Sequence, residues 1–312
     1  MTALLAEALR CFGLPDAHAE FIRHNENLTY CVDNAFLLRI HRPAPGVHAP
    51  CTLDQRRAEL AFLRHLRRRS ITVQEPVRTP SGEDVAVLRD GTAATLLRWL
   101  PGRVVPAKDY DESLCHAAGK LTARLHQAAA GFTHPALRRY DAPAARRMAD
   151  QLEGMAERHR LGSSHADALR AACEAVARRF ETSANAPIAI HNDLSPSNIL
   201  HTESGPAPID FSLCGTGLPM TDLGMLLAGL GSTAQRAAAV CGYEAGGGVF
   251  RHGEMEAGFI FGLLGAFVFH ADTWPQENWF AARLLRWERQ LLLPFIAGQP
   301  ILDRHMNFIH MT

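Results

Sequence analysis

The chain has 312 residues, 47% of them hydrophobic and 21% charged, which is ordinary globular composition with enough length for a sizeable core in one large domain or two lobes. Lys and Arg number 32 against 32 Asp and Glu, so a net charge of zero gives no electrostatic reason to expect nucleic acid or an anionic membrane as partner. The seven cysteines are widely spaced with no C-x-x-C pair, which argues against a zinc site and for reduced thiols in a cytoplasmic protein.

The N-terminal stretch MTALLAEALRCFGL reads as an amphipathic helix. With Glu7 and no basic n-region it is not a signal peptide. Residues 20–41 alternate as strands do: a run through AEFIRH, a polar knot at NEN, LTYCV, a turn at Asp33-Asn34, then AFLLRIH. Pro43, Pro45, Gly46 and Pro50 close this unit, and a helix is expected over 52–69, its apolar residues fitting one face only loosely. Two or three strands follow, joined by turns at Ser81-Gly82 and Asp90-Gly91. The expectation is an N-terminal lobe over 1–98 with one main helix and four or five strands. Pro101 and Gly102 break the pattern, and 99–312 is expected to be a helical C-terminal lobe. Helices are predicted over 111–131, 145–160 and 165–181, the last two separated by Gly162-Ser163-Ser164. Two short strands and their connection come next, and further helices run to 280–298. The longest apolar stretch, 259–269, is too short to span a bilayer and reads as a buried helix.

The connection between those two strands, IHNDLSPSNIL, carries the chemistry. His191, Asp193 and Asn198 form H-x-D-x-x-x-x-N, and Asp210 follows in PIDF. Phosphoryl transfer needs a carboxylate to accept the proton of an attacking hydroxyl, and hard oxygen ligands for Mg2+. Asp193 suits the base, and Asn198 and Asp210 suit the metal. Pro196 rules out a continuous helix through the loop. Asp, Asn, Ser and Pro also cluster in plain turns, and for the short motif alone that reading stands beside the catalytic one. The apolar strand ending in Asp210-Phe211 at a suitable distance favours chemistry.

In these residues the chain resembles the aminoglycoside phosphotransferase / choline kinase family, relatives of the protein kinases. IHNDLSPSNIL is similar to the family's H-G-D-x-x-x-x-N loop, and PIDFSLCGTGLPMTDLG to its metal strand followed by a buried aspartate, here Asp222. NENLTYCVDNAFLLRIHRP resembles the phosphate loop and third strand, AELAFLRHL the helix with the partner glutamate, Glu59, and LLRWLPGR the hinge. The resemblance implies an α+β, protein-kinase-like bilobal fold, ATP and Mg2+ as cofactors, and convergence of both lobes on one nucleotide–magnesium complex. It places Asn25, Glu26, Asn27, Arg39, Glu59, Trp99 and Leu100 at the nucleotide, with Asp222 holding the catalytic loop. Three departures stand out. Asn192 replaces the loop glycine, so the loop is expected to sit differently. Arg39 occupies the place of the third-strand lysine; it either binds phosphate or is a surface arginine on a strand edge. Asn25-Glu26-Asn27 replaces a glycine-rich loop and could be an ordinary turn. Trp99 is expected to be a core anchor more than a ligand contact, and His126 a satisfied structural histidine.

The function this implies is an ATP- and Mg2+-dependent phosphotransferase acting on a hydroxyl of a small metabolite or antibiotic, with no nucleic-acid or membrane partner. After Asp222, seven acids against six arginines do not favour a strongly cationic acceptor. Residues 267–280 mix Phe269, His270, Asp272, Trp274, Glu277 and Trp279, which could bind a small amine, sugar or amino alcohol or could simply pack helices. The alternatives are a protein Ser/Thr kinase of the same fold and a non-catalytic nucleotide-binding module.

Overall fold

The structure of the chain, a computed structural model, describes residues 3–47 and 50–302. Asp303 and Arg304, which entered the charge balance, lie outside the described residues, as does the start of the N-terminal helix stretch. The chain forms two compact units, one reaching to Pro101 with His134–Ala136 and one made of Gly102–Thr133 and the chain from Leu137 onward.

The first unit contains α1 (Ala3–Cys11), β1 (Ala19–His24), β2 (Leu28–Val32), β3 (Phe36–Ile40), α2 (Leu53–Arg68), β4 (Pro76–Val77), β5 (Ala86–Val87) and β6 (Ala93–Arg98). The strands make one antiparallel sheet in the order β1-β2-β3-β6-β4, with β5 also on β6. Asp33 and Asn34 take left-handed backbone angles between β2 and β3, a conformation these two side chains tolerate. Val32, Leu38, Ile40, Ala94 and Leu96 bury one sheet face under Leu5, Ala8 and Leu9 of α1. The amphipathic helix read at the N-terminus is α1 and the helix expected over 52–69 is α2, whereas the four or five strands expected fall short of the six among the described residues. The two-residue strands β4 and β5 carry no readable alternation, and only the packed sheet reveals α1 as core. Thr52 and Gln55 cap α2 reciprocally. The helix fits its apolar face loosely because Arg56 and Glu59 lie on the buried side with Phe62, Leu63 and Leu66.

The second unit follows with β7 (Arg103–Val104), α3 (Glu112–Ala129), β8 (Arg138–Tyr140), α4 (Ala142–Arg158), α5 (Ser163–Glu181), β9 (Ile188–Ile190), β10 (Ile199–Thr202), β11 (Gly205–Pro208), β12 (Gly215–Gly217), α6 (Met220–Ala228), α7 (Thr233–Ala245), α8 (His252–Phe269), α9 (Phe280–Trp287) and α10 (Leu293–Ile296). Two small sheets frame the motif: β11-β10-β7, and β12 between β8 and β9. The motif region thus uses four short strands where two were expected. The single helix expected over 280–298 is interrupted by a π turn at Glu288–Leu292, just before Pro294. Proline has no N–H to donate and its ring crowds the preceding turn, so the chain widens there and restarts with Pro294 in the first turn of α10. No helix among the described residues is long and apolar enough to cross a membrane.

Glycines set the closest helix contacts. A Cβ added to Gly119 of α3 would lie 1.8 Å from the Ala239 carbonyl oxygen of α7, and one on Gly242 would lie 2.0 Å from that of His116. Since the obstacle is backbone, Gly119→Ala must push the helices apart. Overpacking of this kind costs about 1–3 kcal/mol. The melting temperature should fall by roughly 2–10 °C; an unchanged melt would show that the helices are not held this tightly.

Candidate active site

Buried β9 delivers His191 into a loop that ends in the short helical turn Pro196–Asn198. Two consecutive backbone amides of this loop donate to one carboxylate: Asn192 N–H to Asp222 Oδ1 at 2.6 Å and His191 N–H to Oδ2 at 3.0 Å. Asn192 stands at φ +65°. It therefore keeps the left-handed turn that glycine favours, and the expected displacement of the loop is corrected: asparagine is among the few residues that enter this region readily. His191 is fully buried with its ring 4.4 Å from that of Phe211. Its Nδ1 accepts from the Asp193 N–H at 3.2 Å, so Nε2 carries the proton donated to the Ile209 carbonyl at 2.8 Å.

Asp193 is held by Asn198, whose Nδ2 donates to the Asp193 Oδ2 at 2.8 Å and to its carbonyl at 2.9 Å. That leaves the Asn198 Oδ1 as the head atom not spent on Asp193. The β10–β11 hairpin pairs Ile199 with Pro208, and the Ile209 N–H donates to the Asn198 carbonyl at 2.9 Å. The hairpin thereby returns the chain so that Asp210 follows directly on a residue bonded to Asn198. Asp210 itself is left-handed at φ +62°. The structure thus brings Asp193, Asn198 and Asp210 together at the base of one hairpin.

Behind the loop, Asp222 is buried at the N-terminal end of α6. Its Oδ2 also faces the His126 Nε2 of α3 at 3.2 Å, and the His126 Nδ1 meets the Tyr243 hydroxyl of α7 at 3.1 Å. Burial pushes the Asp222 carboxyl up; the hydrogen bond and charge of the His126 ring and the His191 amide outweigh it and hold it below the usual carboxylate range. His126 is satisfied on both nitrogens, as expected of a structural histidine.

In the first unit, the Arg39 Nη2 donates to the Glu59 Oε1 at 2.5 Å, with both side chains at most 5% exposed. The surface-arginine reading of Arg39 is excluded. Asn25, Glu26 and Asn27 form the turn between β1 and β2, closed by the Asn25 N–H on the Asn27 carbonyl. Asn27 is buried and its Oδ1 lies 2.6 Å from the His41 Nδ1, while the His41 Nε2 lies 3.0 Å from the Thr95 hydroxyl of β6. Burial of the ring, then the charges of Arg56 and Arg39, hold His41 well below the usual histidine range. His41 and Arg56 were missed in the sequence, although one signal for each existed: two residues past Arg39 puts His41 on the same strand face, and three before Glu59 puts Arg56 on the same helix face. Trp99 and Leu100 follow β6, with the Trp99 N–H donating to the Ala35 carbonyl. The Trp99 side chain is 38% exposed, so it is no core anchor. The chain leaves the sheet there, which turns the ring outward.

The aromatic stretch largely serves packing. Phe267, Phe280 and Trp287 are buried, the Trp274 ring stacks on His270 at 4.6 Å, and the Arg283 guanidinium lies 4.8 Å over Trp279. Phe269, His270, Trp274 and Trp279 remain partly exposed.

The profile of a family described as the phosphotransferase enzyme family (APH) matches residues 18–257 of the chain. Amicoumacin kinase of Bacillus subtilis (strain 168) is 28% identical over 147 residues, which are 44% of this chain and 42% of that protein, so the match spans less than half the relative's length. Among solved structures, the microcompartment-associated aminopropanol kinase superposes with a TM-score of 0.71 at 20% identity, over 97% of this chain and 99% of its own. Amicoumacin kinase hAmiN in complex with AMP-PNP, Ca2+ and Ami gives 0.70 at 17% identity, over 93% and 90%. A choline/ethanolamine kinase family protein from Mesorhizobium loti gives 0.65 at 19% identity, over 96% and 97%. At these identities the superpositions establish the fold, the bilobal, protein-kinase-like α+β fold that the sequence implied.

Two stability measurements check the networks. Asp222→Ala leaves two buried amides and His126 without their acceptor and should cost about 3–5 kcal/mol, read by urea unfolding. Because the folded Asp222 pKa is depressed, its contribution is complete above the unfolded value near 4 and fades as pH falls through the folded one. A wild-type-minus-variant difference that stayed constant down to pH 2 would contradict that placement. His41 works in the opposite window. Neutral when folded, it takes up a proton on unfolding, so wild-type stability should decline below about pH 6.5, and His41→Asn should flatten that decline.

Proposed function

The chain belongs to the phosphotransferase enzyme family, and on that premise we propose that it transfers the γ-phosphate of ATP, with Mg2+ as cofactor, to a hydroxyl group of a small molecule. The observation that carries the reading is the hairpin-based set of Asp193, Asn198 and Asp210, in which a carboxylate and two oxygen donors are fixed by backbone pairing. Asp193 accepts the proton as the acceptor oxygen attacks phosphorus. Its rotamer is set by Asn198, which keeps one carboxylate oxygen tied while the other serves the hydroxyl. Asn198 and Asp210 offer the all-oxygen donors that suit a hard divalent cation, and they would hold Mg2+, which when bound offsets the charge of the phosphates.

Arg39 engages the phosphates from the sheet unit, oriented by Glu59. A guanidinium is always charged and forks toward two oxygens at once, so the arginine supplies what the usual lysine would, with a broader footprint. The seven cysteines, none in a disulfide, fit a reducing compartment and a cytoplasmic enzyme. The near balance of charge after Asp222 supports a neutral or weakly charged acceptor, with the part-exposed rings of Trp274 and Trp279 as one of its walls.

Arginine in place of lysine favours a second reading, a nucleotide-binding module without turnover. ADP release against pooled metabolites and antibiotics separates the two. The phosphotransferase reading expects an acceptor-dependent rate that Asp193→Ala and Asp210→Ala each lower by about 10²–10⁴-fold, with melting temperatures within a few degrees of wild type. Variants that kept full turnover would overturn the assignment. Thermal stabilisation by ATP with no turnover on any pool would select the second reading.

A further inference from the structure

The Tyr140 hydroxyl stands between the two loops that carry the proposed chemistry. Tyr140 ends β8, which pairs in parallel with β12, and β12 in turn pairs with β9, the strand that leads into the catalytic loop. The ring is fixed on both sides. A Cβ added to Gly215 of β12 would lie 2.5 Å from the Tyr140 Cε2, so the ring can lie against β12 only because a glycine is there. The Phe261 ring of α8 meets it edge-on at 5.8 Å. Held this way, the hydroxyl donates to the Leu213 carbonyl at 2.6 Å. Leu213 closes the short helical turn Phe211–Leu213 that follows directly on Asp210. The same hydroxyl is hydrogen-bonded by the side chain of Asn192, the residue before Asp193, and it feels the Asp193 charge. Since the Asn192 Oδ1 has no hydrogen-bond partner among the described residues, that contact comes from its Nδ2–H. Burial pushes the Tyr140 phenol far above its usual range, so the hydroxyl keeps the proton that it donates.

We propose that Tyr140 is a positioning residue, which together with the Asn192 side chain clamps the catalytic loop to the Asp210 turn and so fixes the spacing of the metal donors Asn198 and Asp210. This rests on the phosphotransferase reading and adds to it a task for the loop residue that stands where the family has glycine. Glycine would take the φ of +65° at Asn192 with less strain. Asparagine also buries an amide oxygen without a partner, a cost that glycine avoids. What glycine lacks is the donor that reaches Tyr140. On the hairpin side the loop and the turn are already joined by the Ile209 N–H on the Asn198 carbonyl. The Tyr140 hydroxyl adds a second tie at Leu213, so the left-handed Asp210 is bracketed by fixed points before and after it. Hydrogen bonds behind metal donors act in this way, by orienting groups that touch the ion.

The test is titration of Mn2+, which takes the same oxygen ligands as Mg2+ and is read directly by electron paramagnetic resonance. It is added to wild type, Tyr140→Phe, Asn192→Gly and the double variant, each saturated with ADP. Tyr140→Phe removes one oxygen and keeps the ring. Its Kd for Mn2+ should rise by about tenfold, while its Kd for metal-free ADP stays within about twofold of wild type. Asn192→Gly should weaken Mn2+ binding on its own and add nothing in the Tyr140→Phe background, because its contact has already lost the partner. A purely structural hydroxyl would lower the melting temperature and leave Mn2+ affinity alone. A Tyr140→Phe Kd for Mn2+ within about twofold of wild type overturns the proposal. So does Asn192→Gly weakening Mn2+ equally in both backgrounds, which would report plain loosening of the loop by glycine. If Tyr140→Phe does not fold, Asn192→Gly decides alone, since glycine suits the backbone there: a weaker Mn2+ site supports the clamp and an unchanged one overturns it. Wild type with ADP that takes up no Mn2+ beyond what free ADP binds would instead sink the metal site of the phosphotransferase reading, and this inference with it.

Discussion

One buried carboxylate organises the catalytic loop. Asp222 accepts from two successive amides, those of His191 and Asn192, and the chain turns left-handed at Asn192 directly after the second. Desolvating a carboxylate costs several kcal/mol, and here it is offset by backbone donors and by His126. The His126 ring in turn reaches Tyr243, so helices α3, α6 and α7 all bear on the position of Asp193. Glycine contacts between α3 and α7 bring those helices close enough for this network to close. The loop is therefore shaped from behind by the helical core, and its own sequence supplies only a compatible turn.

The sheet unit follows the same physical logic with opposite charge. Arg39 and Glu59 are buried as a hydrogen-bonded pair, and the pKa of His41 beside them is held well below the usual histidine range. Among the described residues Arg236 and Glu256 are buried as well, and wherever a charge is buried a low dielectric strengthens every interaction that is made and penalises any that is lost. Seen this way, two of the three departures from the family pattern are accommodated by geometry. Asparagine adopts the angles that glycine would, and arginine keeps the ion pair that lysine would.

Much of the molecule was legible in the sequence. Strand alternation around the Asp33-Asn34 turn, the spacing from His191 to Asp210 and the succession of helical periods specified the sheet unit, the motif loop and the helical unit in order. The two-residue strands β4 and β5 were not legible, since a period of two needs more than two residues to be seen. Nor was the outward turn of Trp99: an aromatic close to Leu96, Leu97 and Leu100 looks like core until the chain is seen leaving the sheet. The π turn before Pro294 was hidden for a similar reason, because composition marks the proline but not how the preceding turn relieves it.

The amino-acid sequence by itself determined which chemistry is available: the acids, the amide and the arginine, and their order along the chain. Local rules sufficed for this, because motif spacing and periodicity are read within a few residues. Tertiary structure alone decided which of those groups act together. His126 meets Asp222 across 96 positions and Tyr243 across 117, and Arg39 meets Glu59 across 20. Such partnerships are fixed by burial and by the need of each desolvated polar group for a partner, and neither can be evaluated until distant segments are packed.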